Sequence, residues 1–317
     1  MSDAPNLIQL EHVYRYYGHT CALNDVSFSV GKGEVLGLLG PNGAGKSTAM
    51  QIISGNLAPS SGQVWVNGID LLDRPTAAKA GLGYLPDQPP LYRELSVDEY
   101  LHYCTRLNRI PVKQQRGAII TAKERCGLTE VGRRLIGNLS KGYQQRVGIA
   151  QAIIHSPAVV ILDEPTVGLD PLQMREIRAL IRELRSEHSI ILSTHILPEV
   201  QATCDRVQII NRGRLVFSDT IEGLGHRMEH ASLIVAMHNP PGQEALETLD
   251  GVASCEDLAR GRFRLHFKNE QDPSEALVAT SVAQGWRLYE LMPERATLED
   301  VFVDLTHSET APLEAEA

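Results

Sequence analysis

Gly40-Pro41-Asn42-Gly43-Ala44-Gly45-Lys46-Ser47-Thr48 is the stretch that decides the fold. Gly40 and Gly45 have four residues between them, and Lys and Ser follow, which is the GxxxxGKS spacing of a phosphate-binding loop. The context is right: an apolar strand at 34–39 leads in, and a helix running to about residue 54 should follow. Glycines let the backbone turn its N–H groups inward around a triphosphate, and the helix N-terminus adds a dipole favourable to anions. Lys46 is expected to reach the β- and γ-phosphates and Ser47 to place its hydroxyl on Mg²⁺. Gly40, Asn42, Gly43, Ala44, Gly45 and Thr48 complete the expected cradle for a nucleoside triphosphate.

A second signal lies 115 residues or so downstream. Val159-Val160-Ile161-Leu162 reads as a buried strand, and Asp163 and Glu164 stand at its end. Ligands in α/β folds bind beyond the carboxyl ends of such strands. Asp163 is expected to hold Mg²⁺, directly or through water, and Glu164 to orient and deprotonate an attacking water.

Around these anchors the chain of 317 residues alternates strands and helices, as an α/β core requires. Strands are expected at 7–14, 26–30, 63–66, 190–193, 207–210 and 215–217, with a helix at 172–184. From 96 to 155 the pattern is helical, with Val97, Tyr100, Leu101, Cys104 and Leu107 recurring at three- and four-residue steps. That stretch reads as an insertion, a helical subdomain at about 88–156. After a connector at 222–230, strand, helix, two strands, helix and strand follow, the order of a split-βαβ, ferredoxin-like domain over 231–307. A last helix is expected at 297–306, and a small, acidic, disordered tail at 308–317.

Three further motifs carry a family resemblance. Leu139-Ser140-Lys141-Gly142-Tyr143-Gln144-Gln145-Arg146 resembles the signature motif of ABC-type ATPases, usually written LSGGQ. The run from Asp163 through Asp170 and Pro171 resembles the family's Walker B and D-loop, and Ser193-Thr194-His195 its switch histidine. With the phosphate loop they span residues 7–220 in family order. The resemblance implies a P-loop cassette with an antiparallel β-subdomain and a helical insertion, an ATPase whose cofactors are ATP and Mg²⁺. It implies that His195 hydrogen-bonds the γ-phosphate, that Ser140 and Gly142 cap a helix aimed at the γ-phosphate of a partner subunit, and that Asp170 shapes the contact between subunits. Tyr17 resembles the aromatic that stacks on adenine, with Tyr16 the competing candidate. The loop Gly83-Tyr84-Leu85-Pro86-Asp87-Gln88 resembles the Q-loop. The usual Gln position falls on Asp87, with Gln88 one residue later, and either could serve Mg²⁺ or the attacking water. Lys141 and Tyr143 depart from the commonest signature in a way that resembles exporter subunits.

Because phosphate loop and signature serve different nucleotides in this family, the resemblance implies a homodimer closed head to tail on ATP. Gly83-Tyr84-Leu85-Pro86 followed by Pro90-Leu91-Tyr92, the Ser140–Tyr143 signature variant, the 195–199 segment and the late 296–302 segment resemble ATP-binding subunits of ABC-2-type exporters, in the gliding-motility-associated and multidrug-export branch. A separately encoded permease is therefore the expected partner, gripped by the helical insertion and the 87–92 loop. Ten Lys and Arg against two acids across 106–146 offer a solvated surface or an attraction to an anionic membrane face.

Composition narrows the alternatives. Thirty Lys and Arg against 39 Asp and Glu give a net charge of −9, which argues against a dedicated nucleic-acid binder, and none is expected as a partner. A second cassette or long coiled coil, as in ribosome- or chromosome-directed relatives, is not found. No apolar run approaches the ~18 residues of a spanning helix, and no signal segment opens the chain. The expected location is cytoplasmic, peripheral on the inner face of the cell membrane. The five scattered cysteines show no metal or redox spacing and fit a reducing compartment.

Overall fold

The computed structural model describes residues 6–224, 232–267 and 271–294. The chain divides into two units, Met1–Asp219 and Thr220–Ala317. The expected helix at 297–306 and tail at 308–317, and most of the connector, lie outside the described residues.

The first unit opens with three strands, β1 (Asn6–Tyr17), β2 (Thr20–Gly31) and β3 (Val35–Leu39), then α1 (Lys46–Ile53). Strands β4 (Ser61–Val66) and β5 (Ile69–Asp70), helix α2 (Pro75–Lys79) and strand β6 (Leu82–Leu85) follow. The helical insertion holds α3 (Val97–Leu107), α4 (Val112–Arg125) and α5 (Lys141–Ile153). Next come β7 (Val159–Asp163), α6 (Pro171–Leu184), β8 (Ser189–Thr194), α7 (Leu197–Thr203), β9 (Arg206–Asn211) and the edge strand β10 (Arg214–Thr220).

Two sheets result. An antiparallel one has the order β2-β1-β4-β5, and the other β10-β9-β3-β8-β7-β6. In the second, β9, β3, β8, β7 and β6 pair in parallel. Every residue of β3, β7 and β8 is buried. That explains why these strands read as continuous apolar runs, whereas β1 and β2 bury alternate residues such as Ile8 and Leu10, or Val26, Phe28 and Val30. Both sheets contribute to one core with α1, whose Ala49, Met50, Ile52 and Ile53 are buried in it.

The register of the parallel strands builds the site. Leu39 faces Thr194 across β3 and β8, and Asp163 faces Ser193 across β7 and β8. The chain beyond β3, β7 and β8 therefore emerges along one edge, carrying the phosphate loop, Glu164 and His195. Leu85 faces Leu162, which brings the 86–88 loop to the same edge.

Several elements differ from expectation. β1 runs on to Tyr17, so Tyr16 and Tyr17 stand at a strand end, each 47% exposed. The short elements β5, α2, β6 and α7 are too brief to leave a period in the sequence. In α3, a capping box between Ser96 and Glu99 starts the helix, and Val97, Tyr100, Leu101 and Cys104 are buried. Leu107, on the expected apolar face, is instead 62% exposed at the helix end.

The second unit contains β11 (Ser232–Met237), α8 (Gln243–Glu247), β12 (Val252–Asp257), β13 (Arg262–Phe267), α9 (Ser274–Gln284) and β14 (Leu288–Glu294). Its antiparallel sheet has the order β12-β13-β11-β14. Leu233, Val235, Phe263 and Leu265 pack with Leu246 and Leu277 from the helices. Polar ladders cross the sheet: Arg264 pairs with Glu256 and Glu294, and Arg262 with Glu290. The last strand begins only at Leu288. Gly285 and Arg287 both have positive φ, and the Trp286 N–H donates to the Ser281 carbonyl, which holds this turn out of the sheet.

Gly40 shows how tightly the phosphate loop is packed. A Cβ there would lie 2.3 Å from the Ile210 carbonyl oxygen, a backbone atom that cannot rotate away. Gly43 has open space around it but a φ of +78°. Gly40→Ala is expected to destabilise the cassette by about 2–3 kcal/mol, and Gly43→Ala by only about 1 kcal/mol through left-handed strain. Urea unfolding of the two variants checks that order.

Candidate functional site

Gly45 ends the loop with φ +111° and caps α1 without a side-chain hydrogen bond. No acidic residue occupies the first turn of α1, so its N–H groups face no competing carboxylate of their own. They open on a cavity of about 380 Å³ lined by Asn42, Gly43, Gly45, Lys46, Ser47 and Thr48, by Asp87, Glu164 and His195, and by Ala22 and Val167.

Lys46 is buried. Its Nζ donates to the Gly40 carbonyl at 2.8 Å and the Pro41 carbonyl at 3.3 Å, and lies 3.7 Å from Glu164 Oε1. Burial lowers its pKa, while the neighbouring Glu164 and Asp163 pull it back up. Glu164 takes a left-handed backbone, φ +49°, with its N–H donating to the Ser193 carbonyl at 3.0 Å. That conformation is uncommon outside glycine and is kept where the surroundings hold it. Its Oε2 lies 2.9 Å from His195 Nδ1. Glu164 is 13% exposed and the histidine 47%, so one end of the pair is shielded and the other faces solvent.

Asp163 is 3% exposed, and its Oδ1 is buried with no hydrogen-bond partner. Burial raises its pKa, opposed first by the nearby Ser193 hydroxyl and also by Ser47; Glu164 and Asp87 raise it further. An orphaned carboxylate oxygen beside a serine hydroxyl is an all-oxygen donor set suited to a hard cation such as Mg²⁺. Among the described residues no group of three or more His, Cys, Asp or Glu could hold a metal by itself. That fits an ion bound by one or two protein oxygens together with phosphates and water.

The remaining expected site residues are divided between this cavity, two others and the end of β1. Asp87 lines the phosphate cavity; Gln88 does not, and lines an adjoining cavity with Pro89, Leu91, Arg93, Lys141 and Gln144. Tyr17 lies outside the lining of the phosphate cavity, and the Arg15 guanidinium sits 4.7 Å over its ring. Ser140, Gly142 and Asp170 meet in a third cavity of about 290 Å³, which shares no lining residue with the phosphate cavity. Ser140 caps α5, its Oγ accepting from the Tyr143 N–H at 3.4 Å, which leaves the hydroxyl hydrogen free to donate outward. Asp170 Oδ1 accepts from the Leu172 and Gln173 N–H groups and caps α6. Gly142 is buried, and a Cβ there would run into the Gln173 side chain, so the two capped helices approach closely at this point. Sequence reasoning missed Ala22 and Val167. The first contributes by being small at the start of β2, which leaves no pattern to find.

A phosphate loop, a paired-acid strand end and a histidine on the neighbouring strand define a P-loop nucleotide hydrolase. The sequence profile of the ABC transporter family matches residues 23–167. The uncharacterized ABC transporter ATP-binding protein YxlF of Bacillus subtilis is 35% identical over 95% of this chain and 100% of its own length. The linearmycin resistance ATP-binding protein LnrL of the same organism is 30% identical over 95% and 98%. Among solved structures, cbiO1 from Clostridium perfringens, part of the ABC transporter complex cbiONQ, superimposes with a TM-score of 0.64 at 30% identity over 69% of this chain and 90% of that one. The chain belongs to the ABC transporter ATP-binding proteins. It binds ATP and is an ATPase whose hydrolysis is coupled to transport.

The uncompensated Asp163 gives a testable consequence. Because burial raises its pKa above the unfolded value, the ionised carboxylate opposes folding at neutral pH. That opposition fades as pH falls through the raised folded pKa, where the folded form takes up the proton first, and is gone below the ordinary carboxylate value. Nucleotide-free Asp163→Asn is expected to melt higher than the parent at pH 7.5, with the gap closing on acidification, and to lose the stabilisation that Mg²⁺ with ATP confers. Thermal melts across pH, with and without Mg²⁺–ATP, check both parts.

Proposed function

We propose that this chain is the ATP-hydrolysing subunit of an ABC-2-type exporter, working as a head-to-tail homodimer beneath a separately encoded permease. The carrying observation is the separation of the two half-sites: the cavity of Lys46, Ser47, Glu164 and His195 has no lining residue in common with the cavity of Ser140, Gly142 and Asp170. A second copy supplies the missing half, with the Ser140 hydroxyl and the α5 N-terminus donating to the γ-phosphate bound by the first.

In this reading Lys46 and the loop N–H groups bind the phosphates. Ser47 and Asp163 would hold Mg²⁺, which would supply charge neutralisation at the phosphate oxygens. Glu164 orients the attacking water and accepts its proton. His195, fixed by its hydrogen bond to Glu164, places its other ring nitrogen toward the γ-phosphate. Asp87 supplies the Q-loop oxygen at this cavity, in preference to Gln88, and Tyr17 and Tyr16 remain the aromatics available to adenine.

The exporter assignment draws support from the likeness to a resistance protein and from the motif variants. The cavity of Gln88, Leu91, Arg93 and Lys141 is the proposed seat of the permease. Of the ten basic residues in the insertion, Lys123, Arg125 and Arg146 are committed to Asp98, Glu187 and Glu176. Arg106, Arg109, Lys113 and Arg116 are exposed and would face the anionic membrane surface. No helix among the described residues is long and apolar enough to cross a membrane, so attachment to the cytoplasmic face would run through the permease. The strand order of the second unit supports a ferredoxin-like accessory domain, and the proposed boundaries are 1–221 for the cassette, 222–230 for a linker and 231–307 for that domain.

Glu164→Gln is expected to keep ATP, accumulate as a dimer with nucleotide and lose turnover by about 10²–10⁴-fold. Lys46→Ala in the same background is expected to abolish both ATP binding and the dimer. Light scattering with and without ATP, beside a phosphate-release assay, decides it: a strictly monomeric Glu164→Gln protein saturated with ATP contradicts the shared-site reading. Co-purification from membranes tests the permease, since recovery in the membrane fraction should be lost when the cognate permease gene is deleted.

A further inference from the structure

Glu199, in the first turn of α7, is fully buried at 0% exposure, yet it lines none of the cavities described above. One of its oxygens, Oε2, accepts two hydrogen bonds, from Thr194 Oγ1 at 2.7 Å and from Thr166 Oγ1 at 3.0 Å. Both threonines are themselves buried, at 0% and 2% exposure. Thr194 precedes His195 directly, and its hydroxyl oxygen accepts in turn from the Ile196 N–H at 3.1 Å, so the backbone is tied on both sides of the histidine. Thr166 lies two residues after Glu164, in the loop where the Val167 N–H donates to the Glu164 carbonyl and the Leu169 N–H to the Thr166 carbonyl. A single carboxylate oxygen thus joins the segment that carries His195 to the loop that carries Glu164.

We propose that Glu199 is a positioning residue for ATP hydrolysis, a buried staple that fixes the Glu164–His195 pair by holding the backbone of both partners. The proposal rests on the reading that Glu164 and His195 carry the reaction. The two reactive side chains meet at 2.9 Å, yet they hang from different strand ends. Glu164 has a strained left-handed backbone, which relaxes unless its surroundings hold it. The staple supplies that constraint. Burial pushes the Glu199 carboxyl up and the neighbouring Glu164 adds to it, opposed by the Thr194 and Thr166 hydroxyls and the Arg178 guanidinium; the two bonds themselves need only an accepting oxygen. Its second oxygen is buried without a partner, so the arrangement uses the carboxylate on one side only. An amide oxygen could therefore replace it in the staple.

That one-sidedness gives the test. In the full-length chain, Glu199→Ala is expected to lower kcat by about 10- to 100-fold while the ATP dissociation constant stays within twofold. Glu199→Gln, which keeps the accepting oxygen, is expected to recover at least a third of parental kcat. Thr166→Val and Thr194→Val each remove one arm and are expected to fall between. Carbon-13 NMR of the histidine rings provides a readout independent of turnover: the His195 signal should shift in Glu199→Ala and return in Glu199→Gln. Parental kcat in a folded Glu199→Ala protein, an unmoved His195 signal, or a Gln variant no better than Ala overturns the proposal. If Glu199→Ala does not fold, the two threonine variants carry the test, and parental kcat in both overturns it. His195→Gln separates the two readings: unimpaired turnover there refutes the assignment of His195 itself, whereas a loss there with none in Glu199→Ala refutes only the staple.

Discussion

The parallel register of three fully buried strands is the constraint on which this structure depends. Leu39 opposite Thr194 and Asp163 opposite Ser193 place the ends of β3, β7 and β8 side by side. A shift of one residue in either pairing would turn each strand's side chains to the opposite face, which the packed core forbids. Hydrophobic burial in Val159–Leu162 and Ile190–Leu192 thus fixes where Glu164 and His195 emerge, two residues beyond Leu162 and three beyond Leu192. Positions set by a core are more rigid than positions set by loops, as catalysis by orientation requires.

The charge distribution follows from the same geometry. Lys46 is a single buried cation beside Asp163 and Glu164, with Asp87 on the cavity wall. Adding a triphosphate to two or three carboxylates concentrates negative charge that one ammonium cannot balance. Backbone N–H groups of the loop and the α1 dipole offset part of it, worth about 0.3–1 kcal/mol for a dipole at an exposed end and more where water is excluded. The unpartnered oxygen of Asp163 is where a divalent cation would offset more. The polar groups at this edge are under-satisfied in the isolated chain for the reason that they are arranged for ligands.

Much of this was legible in the sequence because local chemistry demanded it. The phosphate loop needs glycines at Gly40 and Gly45 for close backbone approach and left-handed φ respectively, and no other residue type would serve. The buried strands announce themselves as unbroken apolar runs. What could not be read is what depends on distant register. The choice between Asp87 and Gln88 turns on how β6 pairs with β7, since both residues have polar oxygens at adjacent positions. Glu199 looks in the sequence like any acid in the first turn of a helix, a place where exposure is the ordinary expectation. Only the folded chain brings it under Thr166, 33 residues away. Leu107 misled in the opposite sense: its spacing matches the apolar face of α3, but the helix ends there and nothing remains to cover it.

The separation of the half-sites has a thermodynamic consequence that follows from the proposed pairing. Ser140 and Asp170 spend part of their hydrogen-bonding capacity within the chain, capping α5 and α6 at about 1 kcal/mol each. The signature surface is therefore built before any partner arrives, and association need not order it. The phosphate cavity is the converse, a set of unpaired donors and acids awaiting a ligand. Joining a preformed donor surface to a cavity whose charge changes with the nucleotide makes dimer stability a function of the nucleotide's state. In the proposed pairing ATP would bridge the two half-sites, and after hydrolysis the separated phosphate and diphosphate would repel one another between them. The free-energy difference between those states is what a ligand-biased two-state element can deliver to an attached permease, and it can be no larger than the differential affinity of the closed and open forms for ATP and its products.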